Sequence, residues 1–127
     1  CHHAKEEEAF FPRLAERVIR EQGGAFGVMF LEHDMGRDCV RRMREAHRGD
    51  AFDAAAFVAA AKEFIPLLRQ HIYKENNVLF QMAASVLTEA DDDELVSKFL
   101  EVEAARKLAE LREQYQREID RWERELQ

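Results

Sequence analysis

Two segments of the chain place a histidine four residues before a glutamate. One pair is His2 and Glu6, and the other is His71 and Glu75. Residues four apart lie on the same face of an α-helix, so each pair would present an imidazole beside a carboxylate. Nitrogen and oxygen donors of this kind bind iron, manganese or zinc, and a carboxylate is able to bridge two metal ions. The two pairs therefore predict a metal site.

The two pairs belong to a repeated pattern, His-x-x-Lys-Glu followed five residues later by Phe. The pattern runs over residues 2–11 and again over residues 71–80. A single histidine followed by a glutamate means little in a chain this rich in glutamate. Two copies that share four identical residues are much harder to obtain by chance. We therefore predict that two distant helices meet at one common site.

A third histidine, His33, lies among apolar residues in another helical segment, and we predict it to be a further ligand. In the first segment His3 and Glu7 have the same spacing as the repeat, so a register shifted by one residue stays open. Glu32 points about 100° away from His33 around a helix and could serve only if that helix were rotated. The alternative interpretation is that the glutamates form surface salt bridges and the histidines fill the core.

Four helices must position these residues. The segments between the predicted turns are rich in strong helix formers, and their apolar residues recur with the helical period. The predicted helices cover about residues 2–21, 27–47, 53–86 and 91–126. Asp53 is predicted to cap the third helix, and Thr88 with Asp91 the fourth.

The last predicted helix is unusually long, about 54 Å at 1.5 Å per residue. Its end, residues 104–127, alternates glutamate and arginine around an apolar stripe that includes Tyr115, Ile119, Trp122 and Leu126. Such a pattern is typical of a helix that packs against a partner helix. We expect it either to complete the bundle or to form a homodimer.

The composition excludes several classes of protein. A chain of 127 residues with 46% hydrophobic residues predicts one domain over 1–127, with metal-binding helices in 1–87 and the long helix in 91–127. Five glycines and two prolines are too few for a many-stranded β-fold. A net charge of −7 with scattered basic residues argues against nucleic-acid binding, and no apolar run spans a membrane. Two cysteines and no recognisable secretory signal predict a cytoplasmic location.

Three stretches, residues 1–12, 32–37 and 71–80, together resemble the hemerythrin-like family of HHE cation-binding domains. The likeness spans residues 1 to about 87. It implies an all-α, up-and-down four-helix bundle that holds a non-haem di-iron centre. The family's usual first helix, with its own ligand histidine, has no counterpart in this sequence. Either the sequence is a truncated piece, or the long last helix or a partner chain takes the place of that helix. The ligands that the resemblance implies are His2, Glu6, His33, His71 and Glu75.

The resemblance implies a function in oxygen binding, in iron or oxygen sensing, or in the redox stress response. We expect two irons bridged by Glu6 and Glu75, with open positions for dioxygen or another small diatomic ligand. Manganese and zinc are alternative metals, since they accept the same ligands. A non-enzymatic role is favoured because no additional general acid or substrate-binding group is evident. The alternatives are a di-metal oxidase, a peroxidase-like or nitric oxide-scavenging enzyme, and a metal-free helical interaction module.

Overall fold

A computed structural model of the protein describes residues 2–18, 24–48 and 51–125. Helices make up nearly all of this structure, which confirms the predicted all-α class. Within the described residues no helix combines the length and the hydropathy needed to cross a lipid bilayer. The elements are, in chain order, α1 (His2–Lys5), the π-helical turn π1 (Glu6–Phe10), α2 (Phe11–Arg17), α3 (Gly24–Glu45), β1 (His47–Arg48), β2 (Ala51–Phe52), α4 (Ala54–Lys74), the π-helical turn π2 (Glu75–Leu79), α5 (Phe80–Val86), α6 (Glu89–Ala105) and α7 (Leu108–Glu125).

The predicted helix starts agree with the structure where a side chain caps the helix. The Oδ1 atom of Asp53 accepts a hydrogen bond from the backbone N–H of Ala56 at 2.9 Å at the start of α4. At the start of α6, Thr88 and Asp91 form a reciprocal capping box. The Thr88 N–H donates to Asp91 Oδ2 at 2.9 Å, and the Asp91 N–H donates to Thr88 Oγ1 at 3.3 Å. Both predicted N-caps are confirmed.

The capping box allows a direct stability test. Thr88→Ala removes the oxygen that accepts the Asp91 N–H, and we expect it to lower the free energy of unfolding by about 1 kcal/mol. Thr88→Ser keeps that acceptor, and its free energy of unfolding should remain close to that of the parent protein. Chemical denaturation followed by circular dichroism measures both. An equal loss in the two variants would show that the methyl group, and not the cap, stabilises the helix start.

The last helix differs from the prediction. Instead of one helix over 91–126, α6 and α7 are separated at Lys107, whose φ of 50° lies in the left-handed region. The Lys107 N–H donates to the Ala104 carbonyl at 3.1 Å, which closes α6 with a turn. Arg106 pairs with Glu8 at 2.5 Å, and Leu108 is buried. The residues around the break are all good helix formers, so the break follows from tertiary contacts that propensity does not report.

The chain divides into two compact units. One comprises Cys1–Arg13 and Thr88–Gln127, and the other comprises Leu14–Leu87. Buried apolar residues of the first unit include Phe10, Phe11, Leu95, Val102 and Leu108. Those of the second include Leu14, Phe26, Met29, Cys39 and Leu79.

The buried face of α3 differs in part from the apolar stripe that the helical period predicts for this segment, which consists of Val28, Leu31, Met35, Cys39 and Met43. Cys39 is buried as predicted, but Val28, Leu31 and Met35 are exposed and His33 is buried. A stripe chosen by hydrophobicity alone passes over the histidine, because imidazole counts as polar. The helix α3 packs against α4, and the histidine is buried in the structure. In the second unit, the buried face of α3 therefore contains the candidate ligand His33 and not the most apolar row of side chains.

Candidate metal centre

Three predicted ligands come together within the second unit. His33 lies in the middle of α3, His71 lies near the end of α4, and Glu75 begins π2 one turn later. All three are buried, with at most 4% of each residue exposed. His33 Nε2 lies 3.2 Å from His71 Nε2, and His71 Nε2 lies 3.0 Å from Glu75 Oε1. Two imidazoles and one carboxylate thus share a small buried space.

These distances fit the ligand shell of a metal ion. Two donors that each lie about 2.1 Å from an ion are about 3.0 Å apart at right angles and about 3.4 Å apart at the tetrahedral angle. The Oε1 atom of Glu75 is buried, and no group in the described part of the chain donates a hydrogen bond to it. A buried carboxylate oxygen without a donor is costly. A cation held between the two imidazoles and this oxygen would satisfy it, so the residues present fit a metal.

Glu32 contacts Nδ1, the other ring nitrogen of His71. Its Oε2 lies 3.1 Å from His71 Nδ1, and its Oε1 accepts a hydrogen bond from Lys74 Nζ. Burial alone would raise the pKa of Glu32, but the hydrogen bonds from Lys74 and His71 outweigh burial and hold that pKa below its ordinary value. A carboxylate beside Nδ1 favours the tautomer with the proton on Nδ1. Nε2 is then left with a lone pair, which is the form that binds a metal.

The sequence pattern gives little indication of this role for Glu32. Around the axis of α3, Glu32 is about 100° away from His33, so the two side chains point in different directions. This angle does not indicate which other helix Glu32 contacts. In the structure it contacts His71, which belongs to a different helix. The only indication in the sequence is that Glu32 is acidic and adjoins the candidate ligand His33, on a helix that is expected to pack against the helix of His71.

The first copy of the repeat lies in the first unit. His2 Nε2 lies 3.1 Å from Glu6 Oε1, so the imidazole and the carboxylate of this pair are in contact. Glu6 is buried, whereas 71% of the His2 side chain is exposed. His3 and Glu7, the pair of the alternative register, are both partly buried. The four-residue spacing therefore produces the expected imidazole–carboxylate contact in both copies of the repeat.

Both copies leave α-helical geometry at the same residue of the pattern. The π-helical turns begin at Glu6 and at Glu75. The N–H of Phe11 donates to the Glu6 carbonyl, and the N–H of Phe80 donates to the Glu75 carbonyl. The phenylalanine that ends each copy therefore closes the widened turn. Such turns are rare and occur frequently at functional sites, and a search for four-residue spacing does not detect them.

Comparisons with known proteins identify the family of the chain. The chain is 32% identical over 85 residues to the iron-sulfur cluster repair protein DnrN of Neisseria gonorrhoeae, a match that covers 62% of this chain and 54% of that protein. The chain thus spans about half the length of that relative. No solved structure matches. A family model described as the Hemerythrin HHE cation binding domain matches residues 1–83, which include both copies of the repeat and His33. The chain belongs to the hemerythrin HHE cation-binding domain family.

Proposed function

We propose that this chain is a non-haem iron-binding protein that acts in the response to redox stress. The observation that carries the proposal is the buried group of His33, His71 and Glu75, with a carboxylate oxygen that lacks a hydrogen-bond donor. Membership of a cation-binding family supports a resident metal. The similarity to a protein named for iron-sulfur cluster repair supports iron and a stress response.

We also propose that His2 and Glu6 are metal ligands, so that these two residues together with His33, His71 and Glu75 would hold two irons. Support comes from the repeated sequence and from the π-helical turn at the same residue of each copy. Three imidazoles and two carboxylates leave positions for a small diatomic ligand such as dioxygen. Iron, when bound, supplies reversible one-electron redox chemistry at such open positions. The cytoplasmic location stays a prediction from the cysteine content.

The residues of the chain have separate tasks in this function. The burial of His33, His71 and Glu75 keeps bulk water away from the ligand atoms. Glu32 holds the ring of His71 in one orientation.

Metal analysis with absorption spectroscopy tests the proposal. After anaerobic loading with ferrous salt and desalting, we expect about two irons per chain, on the ligand count above. The near-ultraviolet and visible spectrum should change on exposure to dioxygen and return on removal of the gas. His47→Ala, which changes an exposed histidine on β1, should bind the same amount of iron.

Each other outcome has a definite meaning. A chain that retains no iron would contradict the proposed function and favour a helical interaction module. One iron per chain would contradict the proposal that the five residues hold two irons. Sustained consumption of peroxide or nitric oxide would favour the enzymatic alternative over ligand binding.

A further inference from the structure

The helix α7 carries an apolar stripe along one face. Leu111, Tyr115, Ile119 and Trp122 follow one another at steps of three or four residues, which places them in line on an α-helix. Between 39% and 63% of each residue is exposed. The helix has 18 residues and is about 27 Å long at 1.5 Å per residue. A row of large apolar side chains bordered by charges is typical of an interaction surface.

The charges beside the stripe change sign along the helix. By helical spacing, Arg112 and Glu123 flank the stripe on one side, and Glu118 flanks it on the other. A basic residue therefore borders the start of α7, and acidic residues border its later half. Arg112 pairs with Glu103 at 3.0 Å, but 68% of its side chain is exposed, so this pair is open to exchange.

This charge order distinguishes the two ways of pairing two copies of α7. In a parallel pair, a flanking residue faces the one five positions earlier on the other helix. Glu123 would then face Glu118 of the other copy, and this contact would be repulsive and would occur twice. In an antiparallel pair centred near residue 117, Arg112 faces Glu123 of the other copy. The same arrangement sets Leu111 near Trp122, so the apolar and the charged contacts agree on the centre to within about one residue. Glu118 then lies near Glu118 of the other copy, but this single repulsion is outnumbered by the two Arg112–Glu123 contacts.

We propose that α7 is a self-association surface, on which a second copy of this chain binds through its own α7 in the antiparallel direction. The apolar stripes form the centre, and the Arg112–Glu123 contacts occur twice because the pair is two-fold symmetric. Two helices of this length form a small interface, so association should require micromolar rather than nanomolar protein. The proposal involves no metal and stands apart from the proposed function.

Sedimentation equilibrium of the full chain and of charge variants tests the proposal. The parent protein should show a reversible monomer–dimer equilibrium. Arg112→Glu sets like charges together and should raise the dissociation constant about tenfold. The double variant Arg112→Glu with Glu123→Arg restores opposite charges in the antiparallel pair and should return the constant to near the parent value. Trp122→Glu should raise it about thirtyfold or more.

The matched control is Arg117→Glu, which reverses a charge on the opposite face of α7 and should leave the equilibrium unchanged. Circular dichroism checks that every variant keeps its helix content. A parent protein that is monomeric at high micromolar concentration would overturn the proposal. A dimer that Arg112→Glu does not weaken, or that the double variant does not restore, would also overturn the antiparallel pairing and indicate another occupant of the stripe.

Discussion

Replacing either His71 or Glu75 with alanine should abolish iron retention while leaving the helical circular dichroism almost unchanged. Both side chains contribute a donor atom to the buried group in the second unit, and their contact spans 3.0 Å. Their loss leaves too few donors for a closed ligand shell. The helices themselves depend on apolar packing and on the Asp53 cap, which neither substitution touches. Iron per chain after loading and desalting is the measurement.

Two further variants separate ligation from simple disruption. Glu75→Gln keeps the shape of the side chain but removes its charge, and should lose most of the iron as well. Gln70→Ala changes an exposed residue of α4, and this variant should retain its iron. In the metal-free protein, Glu75→Gln should not lower the free energy of unfolding, because the buried carboxylate it replaces has an oxygen without a donor. Unchanged iron in both alanine variants would contradict the ligand assignment.

Glu32→Ala should weaken iron binding by about 10- to 100-fold without removing a ligand. The carboxylate of Glu32 lies 3.1 Å from His71 Nδ1 and fixes both the tautomer and the orientation of that ring. Without it, His71 must be ordered at the moment of binding, and Nε2 carries the proton part of the time. Competition against a chelator of known affinity measures the change.

Matched variants identify the origin of that loss. Asp34→Ala removes a neighbouring acidic residue that is exposed and pairs with Arg37, so it should leave the affinity unchanged. Glu32→Gln retains an oxygen that accepts a hydrogen bond from the Nδ1–H group of His71. Its affinity for iron should therefore lie between that of the parent protein and that of the alanine variant. A Glu32→Ala protein with the parent affinity would show that the packing of α3 on α4 orients His71 without help.

The helices and their caps were predictable because they depend on local sequence. Helix-forming residues and the acceptors at Asp53 and Thr88 act within one turn of the chain, where sequence spacing and spatial distance coincide. The imidazole–carboxylate contacts of the repeat are also local, since they join residues four apart. Each of these features was open to prediction from short stretches of sequence.

The remaining features depend on contacts between distant segments. The break at Lys107 accompanies the Arg106–Glu8 pair, which joins residues 98 positions apart. The contact of Glu32 with His71 spans 39 positions. Hydrophobic periodicity describes which residues are apolar and not which helix they face, so for α3 it predicted the buried Cys39 but also the exposed Val28 and Leu31. The pattern of a single sequence does not indicate which distant residues come into contact.

The widened turn at Glu75 also keeps the buried side of its helix continuous. Buried positions there recur every four residues, at His71, Glu75, Leu79 and Ala83. In an uninterrupted α-helix each step of four drifts by about 40° around the axis, so the fourth position would leave the interior. The lower winding of a π-helical turn offsets much of that drift. Inserting or deleting one residue between Glu75 and Phe80 would therefore rotate the apolar side chains away from the ligands, which makes the length of this segment as constrained as the identity of its histidine and glutamate.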